Sequence, residues 1–301
     1  MCLKYRCRRW FRYLFFSDFK KSVKAIISEG TKIDSTAKIT VNGTALSDTD
    51  GSVGLASMDG ANITQTNSDT NIIVDGSASI GAYADGGAGS LTTTKLTVNG
   101  GTVTAKGGAF NIYAGNKATV ALNGANLNTE KKSLAFYTTN GGKVDFGTGS
   151  TKTVATIKGG TDTDDLESLM GIGNWGHITI SQCTMEVEAE VAGLYGGFWK
   201  FDRCNLKAKG NGLDGDDYYG SICWLWDEYP EFQGCKITEP QNNTWKKHKE
   251  KGYSYFSLYG DNQKPVTDWV TITPENTQGI ETTLETNTKT AQQGVFSLDG
   301  R

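Results

Sequence analysis

The feature that most constrains this chain is a short alternating strand that runs into a sharp glycine corner and recurs along its length. Lys38-Ile-Thr-Val-Asn-Gly43, Lys95-Leu-Thr-Val-Asn-Gly100 and Thr119-Val-Ala-Leu-Asn-Gly124 are near copies. Leu55-Ala-Ser-Met-Asp-Gly60 and Asn71-Ile-Ile-Val-Asp-Gly76 are variants of the same unit. A second short strand often comes after the corner, as in Ala61-Asn-Ile-Thr, Thr102-Val-Thr-Ala and Ala125-Asn-Leu-Asn. The corner glycines at 43, 60, 76, 100 and 124 are spaced by 17, 16, 24 and 24 residues. These spacings are read as one coil of a solenoid, and they fall short of a propeller blade at about 40 residues. A single coil cannot bury its own apolar side, so each Ile, Val or Leu must pack on its counterpart one coil away. Gly and Asn recur at the corners because they tolerate a left-handed backbone.

The second half keeps the strands and changes the corners. His177-Ile-Thr-Ile-Ser-Gln-Cys183, Trp199-Lys-Phe-Asp-Arg-Cys204 and Glu231-Phe-Gln-Gly-Cys235 place a cysteine where glycine stood before, at spacings of 21 and 31. The longer spacing leaves room for a loop around residues 214–229. Three cysteines at equivalent corners read as an internal stack of small apolar side chains, with a disulfide as the alternative. There is no CxxC pair, so a structural zinc site is not expected.

Composition separates this pattern from disorder. Only 37% of residues are apolar and 38 are Gly, yet the apolar residues alternate with polar ones and Pro numbers just 4. Thr, Val and Ile suit pleated strands, and no 3.6-residue apolar stripe runs through the repeats. The expected fold is all-β, a right-handed parallel β-helix with a short N-terminal helical cap over Ser17–Glu29. The expected organisation is a basic N-terminal segment over 1–30, the solenoid over 31–240 and capping strands with a loop over 241–275. A Thr-rich linker and C-terminal segment over 276–301 completes it. Within the cap, 245–251 reads as a charged loop, with strands after it over 253–259 and 266–273.

The net charge of −3 hides an asymmetry. Residues 1–24 hold eight Lys or Arg against Asp18 alone, and setting that +7 aside leaves −10 for residues 25–301. An acidic body repels phosphate, so nucleic acid is not an expected partner. The N-terminus starts basic, but Tyr13-Leu14-Phe15-Phe16 is too short for a signal-peptide core, and Asp18, Lys20 and Lys21 interrupt the residues after it. No signal peptide is recognisable, and no stretch approaches the roughly 20 apolar residues that cross a bilayer.

Over residues 35–240, the stacked strand–Asn-Gly–strand units resemble the pectin-lyase-like right-handed β-helix superfamily. That superfamily includes the passengers of bacterial surface autotransporters and adhesins. At the other end, Gly294-Val-Phe-Ser-Leu-Asp-Gly-Arg301 comes after Gln278-Gly-Ile-Glu and a Thr/Asn-rich spacer. It resembles the opening of the C-terminal sorting domain of secreted Bacteroidetes proteins. The family pattern runs on past the point where this chain stops, so the match is read as truncated. The resemblance implies export and display at, or release from, the cell surface.

Enzymes of the polysaccharide-cleaving β-helix type supply the catalytic expectation to weigh. Glycoside hydrolysis needs two positioned carboxylates, and the densest acidic turn, Asn211–Gly220, holds Asp214, Asp216 and Asp217. A polygalacturonase-like site would add Gly-His-Gly and Arg-x-Lys, and neither occurs; the two histidines are His177 and His248. The acidic turn lacks the spacing of an EF-hand loop. It reads first as a solvated turn, then as a calcium site on Asp214, Asp216 and Asp217, and last as a catalytic one. No catalytic residue is assigned, and no cofactor is expected beyond that calcium.

Six of the seven Trp lie from residue 175 onward, among many Tyr. Aromatic rings beside Asp and Asn suit sugar faces, so Trp175, Trp199, Tyr218, Tyr219, Trp224 and Trp226 are the candidate ligand contacts. The competing reading is core packing, because one face of any solenoid strand must point inward. The reading of the whole is a monomeric, non-enzymatic, surface-exposed or secreted scaffold of adhesin-like or structural kind, with a glycan or host surface as partner. The alternatives are a carbohydrate-active β-helix enzyme and a glycan-binding module.

Overall fold

The computed structural model describes residues 26–29, 32–46, 51–87, 93–130, 132–147, 153–159, 170–174, 176–212, 220–225, 229–250 and 253–275. Over these, the chain is a parallel β-solenoid with no helix among the described residues. Three sheets of ten, eight and nine strands form its walls, called here A, B and C. The first coil sends Ile26–Glu29 to sheet A, Lys32–Ser35 to B and Thr40–Thr44 to C. The second sends Val53–Met58, Asn62–Gln65 and Asn71–Asp75 to the same sheets in the same order. Each strand therefore pairs in parallel with the strand three further along, as Asn99 does with Asn123. The all-β solenoid expected from the repeats is the observed fold. Of the helix expected over Ser17–Glu29, Ile26–Glu29 is instead the first strand, and the rest lies outside the described residues.

Stacking fixes what fills the interior. On sheet B the inward column runs Ile33, Ile63, Leu96, Val120, Val144, Ile178 and Trp199, each the register partner of the next. On sheet C it runs Val41, Ile72, Val103, Leu127, Ala155, Met185 and Leu206. These columns merge into one continuous core along the solenoid. Each fully buried aliphatic or aromatic side chain stabilises the fold by roughly 1.5–3 kcal/mol.

The corner glycines turn out not to be one corner repeated. Gly43 lies inside a sheet C strand, Gly60 comes after a sheet A strand and Gly76 after a sheet C strand, while Gly100 and Gly124 come after sheet B strands. Only the step from 100 to 124 is thus a true coil length; the other three, the 24-residue step from 76 to 100 included, run between different corners. The corner from B to C is the regular one. Its left-handed position is held by Gly100, Gly124, Gln182, Arg203 and Gly234, with φ of 79°, 65°, 48°, 50° and 58°, while Gly147 of the coil after Gly124 turns one position earlier, with φ of 80°. The cysteines sit one residue later than the glycines they were expected to replace. Cys183 pairs with Thr153 on sheet C and points inward. In the second half Gln182 and Arg203 take the left-handed turn without glycine's freedom.

Sheet A differs from the other two in burying both faces. Leu55, Ala82, Ile112 and Phe136 point into the core, while Ala56, Tyr83, Tyr113, Tyr137 and Tyr195 form a second buried cluster on the opposite face. Tyr83, Tyr113 and Tyr137 stack along the axis, with ring centroids 5.2 and 6.1 Å apart and planes 12° and 14° from parallel.

The C-terminal end closes with antiparallel strands. Tyr253–Tyr259 adds to sheet A against Ile222–Leu225, and Thr244–Glu250 adds outside it. Val270–Pro274 adds to sheet C between Asn205–Gly210 and Cys235–Glu239. The charged segment read from sequence as a loop over 245–251 is therefore mostly an edge strand. Its lysines are typical of an edge protected from pairing with another chain. No helix of the described residues is long and apolar enough to cross a membrane.

Candidate binding surface at the C-terminal cap

Two of the six aromatic residues expected to touch ligand lie among the described residues with defined surroundings, and both are in the core. Trp199 is 2% exposed and Trp224 is 0% exposed. Trp199 occupies the inward column of Ile178, and its ring stacks on Phe201 at 5.8 Å with the planes 5° apart. Trp224 tilts against Trp199 at the same centroid distance, 5.8 Å. Neither ring presents a face to solvent, so the ligand-contact expectation is corrected for these two: register, not function, explains them. Trp175, Tyr218, Tyr219 and Trp226 lie outside the described residues, as do Asp214, Asp216 and Asp217 of the calcium expectation.

The most exposed large aromatic among the described residues packs against the cap. Tyr229 is 56% exposed. Its ring centroid lies 4.6 Å from that of Phe256 and 6.4 Å from that of Trp245, edge-on to the latter. Lys247 Nζ stands 5.5 Å from the Phe256 ring. The strand period explains the grouping. Trp245 and Lys247 share one face of Thr244–Glu250, opposite Leu258 and Phe256 of the neighbouring strand. Phe256 and Leu258 close the end of the core, Trp245 packs half-buried against them, and Tyr229 lies outermost.

The other face of the same hairpin carries Lys246 and His248. Lys246 Nζ sits 4.4 Å from the Tyr259 ring centroid and donates to Gln263 Oε1 at 2.8 Å. His248 Nε2 and the Tyr259 hydroxyl share a hydrogen bond of 2.8 Å. On the first face, the exposed Tyr229 ring offers a surface for apolar C–H groups with the Lys247 ammonium beside it, a pairing that can hold a sugar or another amphipathic ligand. The sequence hides this group because the lysines of 245–249 mask the alternation. Its signal is the spacing by two of Trp245, Lys247 and Lys249 opposite an aromatic strand.

Burial is the largest cause of the shift at several ionisable groups elsewhere, Tyr83, Cys223 and Asp145 among them. Burial and the neighbouring Asp85 carboxylate hold the Tyr83 phenol far above its ordinary range. Burial pushes the Cys223 thiol up to about 12, the Ser257 hydroxyl partly offsetting it. Asp145 on sheet B is raised by burial, against the pull of Lys95, Lys143 and the Thr179 hydroxyl. Among the described residues, no three His, Cys, Asp or Glu side chains are grouped so as to hold a metal ion. No family, curated protein or solved structure matches this chain.

Proposed function

We propose that the chain is a non-enzymatic, surface-exposed or secreted β-helix protein of the kind exported by Bacteroidetes, a monomeric adhesin-like scaffold that meets a glycan or host surface. The observation that carries the reading is Tyr229, an exposed ring braced on Phe256 and Trp245 at the closed end of a rigid solenoid. A large aromatic is costly to leave in water, and a braced one loses little freedom on binding. The resemblance of residues 294–301 to a sorting domain supports export.

The test is a glycan array probed with the full chain, alongside Tyr229→Ala and Trp245→Ala. The reading expects glycan binding by the parent, weakened by about tenfold or more (1.4 kcal/mol) in Tyr229→Ala. Trp245→Ala should lose more, because it also removes the support beneath Tyr229. Binding unchanged in both variants would move the site elsewhere on the solenoid. Release of unsaturated or reducing sugars from any bound glycan would overturn the non-enzymatic reading in favour of a carbohydrate-active enzyme.

A further inference from the structure

We propose that Cys183 and Cys204 are the two halves of a disulfide that clips one coil of the solenoid to the next, leaving Cys235 as a thiol. The three residues come directly after the left-handed corner positions Gln182, Arg203 and Gly234, and all three are buried. Thr184 pairs with Asn205 and Glu186 with Lys207, so Cys183 and Cys204 face each other across neighbouring parallel strands. Neighbouring strands lie about 4.8 Å apart, inside the range of roughly 4.4–6.8 Å that separates the Cα atoms of disulfides. The two thiols lie close enough to shift one another, Cys183 upward and Cys204 downward. Cys204 in turn donates to the Ile180 carbonyl at 2.9 Å.

The parallel ladder runs as far as Asp202 opposite Gln233 and opens at Cys235. Beyond Cys235 the chain leaves the parallel stack and pairs antiparallel with Val270–Pro274, Cys235 opposite Pro274. The Cys235 thiol is aimed at the Phe201 carbonyl, 3.6 Å away. Cys223 stands apart on sheet A, in register with Tyr195 and bonded to Ser257.

The chemistry needs a low-molecular-weight disulfide such as oxidised glutathione. The Cys204 thiolate attacks one sulfur of the reagent; the reagent's S–S bond breaks, and the first glutathione leaves and takes a proton. The Cys183 thiolate then attacks the Cys204 sulfur of the mixed disulfide and expels the second glutathione. Two thiols and one small disulfide become one protein disulfide and two small thiols. Because Cys183 and Cys204 are only 3% and 0% exposed, the reaction belongs to folding or to local opening. The bond encloses one coil, including Ala192–Gly196 and Trp199–Asp202. Each coil otherwise depends on its neighbours alone, so the clip covalently secures the coil that leads into the cap. It stands independently of the glycan reading.

The full chain, unfolded and refolded in reduced and oxidised glutathione, is alkylated in denaturant and its peptides are mapped by mass spectrometry. The expected product joins Cys183 to Cys204, with Cys235 and Cys223 alkylated. Cys235→Ser should keep the link in full. Cys204→Ser should lose it without a Cys183–Cys235 link appearing, since those residues are two coils apart. The oxidised parent should melt about 5 °C above its reduced form, and Cys204→Ser should lack that difference. Folded, oxidised parent in which Cys183 and Cys204 are both alkylated overturns the proposal, as does a Cys204–Cys235 link; neither result depends on how a variant folds.

Discussion

Sheet C and sheet A are built from the same coils, yet they solve opposite problems. Along Cys183–Ala189, Thr184 and Glu186 face water and Met185 and Val187 face the core, a clean period of two. Along Leu134–Thr138 every residue is buried. Sheet C needs only one apolar face, so its outer face is free to carry ion pairs such as Lys158 Nζ to Glu188 Oε2 at 2.7 Å. Sheet A must fill space on both sides, and it does so with stacked tyrosines on one face and aliphatic or aromatic residues on the other. The lesson is that a three-walled solenoid need not have three equivalent walls.

If the second face of sheet A is a true core, truncation there should cost nearly as much as truncation inside. Phe136→Ala, in the interior, is expected to lose about 3–5 kcal/mol of unfolding free energy in a urea titration. Tyr113→Ala, on the opposite face and stacked between Tyr83 and Tyr137, should lose about 3 kcal/mol. A loss below about 1 kcal/mol for Tyr113→Ala would fit a surface position and break the comparison.

Tight backbone approach sharpens the same contrast. Gly81, in a sheet A strand, lies against Val103 of sheet C and the Asn111 carbonyl, 2.8 Å from where a Cβ would sit. Gly81→Ala should therefore cost about 1–3 kcal/mol through overpacking, read from the same titration. On sheet C's outer face the expected costs are smaller. Lys158→Ala removes a pair whose partners are 39% and 40% exposed, so the loss should stay under about 1 kcal/mol and shrink further in 1 M salt. A loss as large as that of Gly81→Ala would mean that the outer ladder carries weight the comparison denies it.

This asymmetry also explains how much of the molecule is legible in the sequence. Lys95–Asn99 and Thr119–Asn123 announce themselves because their inward residues are large and aliphatic and alternate with polar or small ones, and they set the reading of a stacked solenoid correctly. Val53–Met58 and Ile80–Asp85 do not alternate, so nothing in them marks a separate wall, and glycines from three different corners merge into one series. The cysteine column is legible to within one residue, because its spacings of 21 and 31 match the register steps from Ile178 to Trp199 and from Lys200 to Glu231. The binding candidates are less legible. Trp199 looks like a ligand contact until register puts it above Ile178, whereas Tyr229 acquires its support from residues 16 and 27 positions away. Long-range pairing of that kind leaves no local pattern.

The smallest expected effect tests whether the outer face of sheet B behaves as surface throughout. Asp145 points outward from Lys143–Phe146, yet neighbouring side chains bury it enough to raise its pKa, with Lys95, Lys143 and Thr179 pulling the other way. A carboxyl with a raised folded pKa binds its proton more tightly folded than unfolded. Stability is therefore full below the ordinary carboxylate range and falls as pH rises through the raised value. Asp145→Asn keeps the shape and removes the charge. It should melt slightly above the parent at pH 7 and together with it at pH 3, where the parent's carboxyl is protonated. An equal difference at both pH values would show that burial of the charge costs nothing here, and that Asp145 sits on as wet a surface as Glu186 of sheet C.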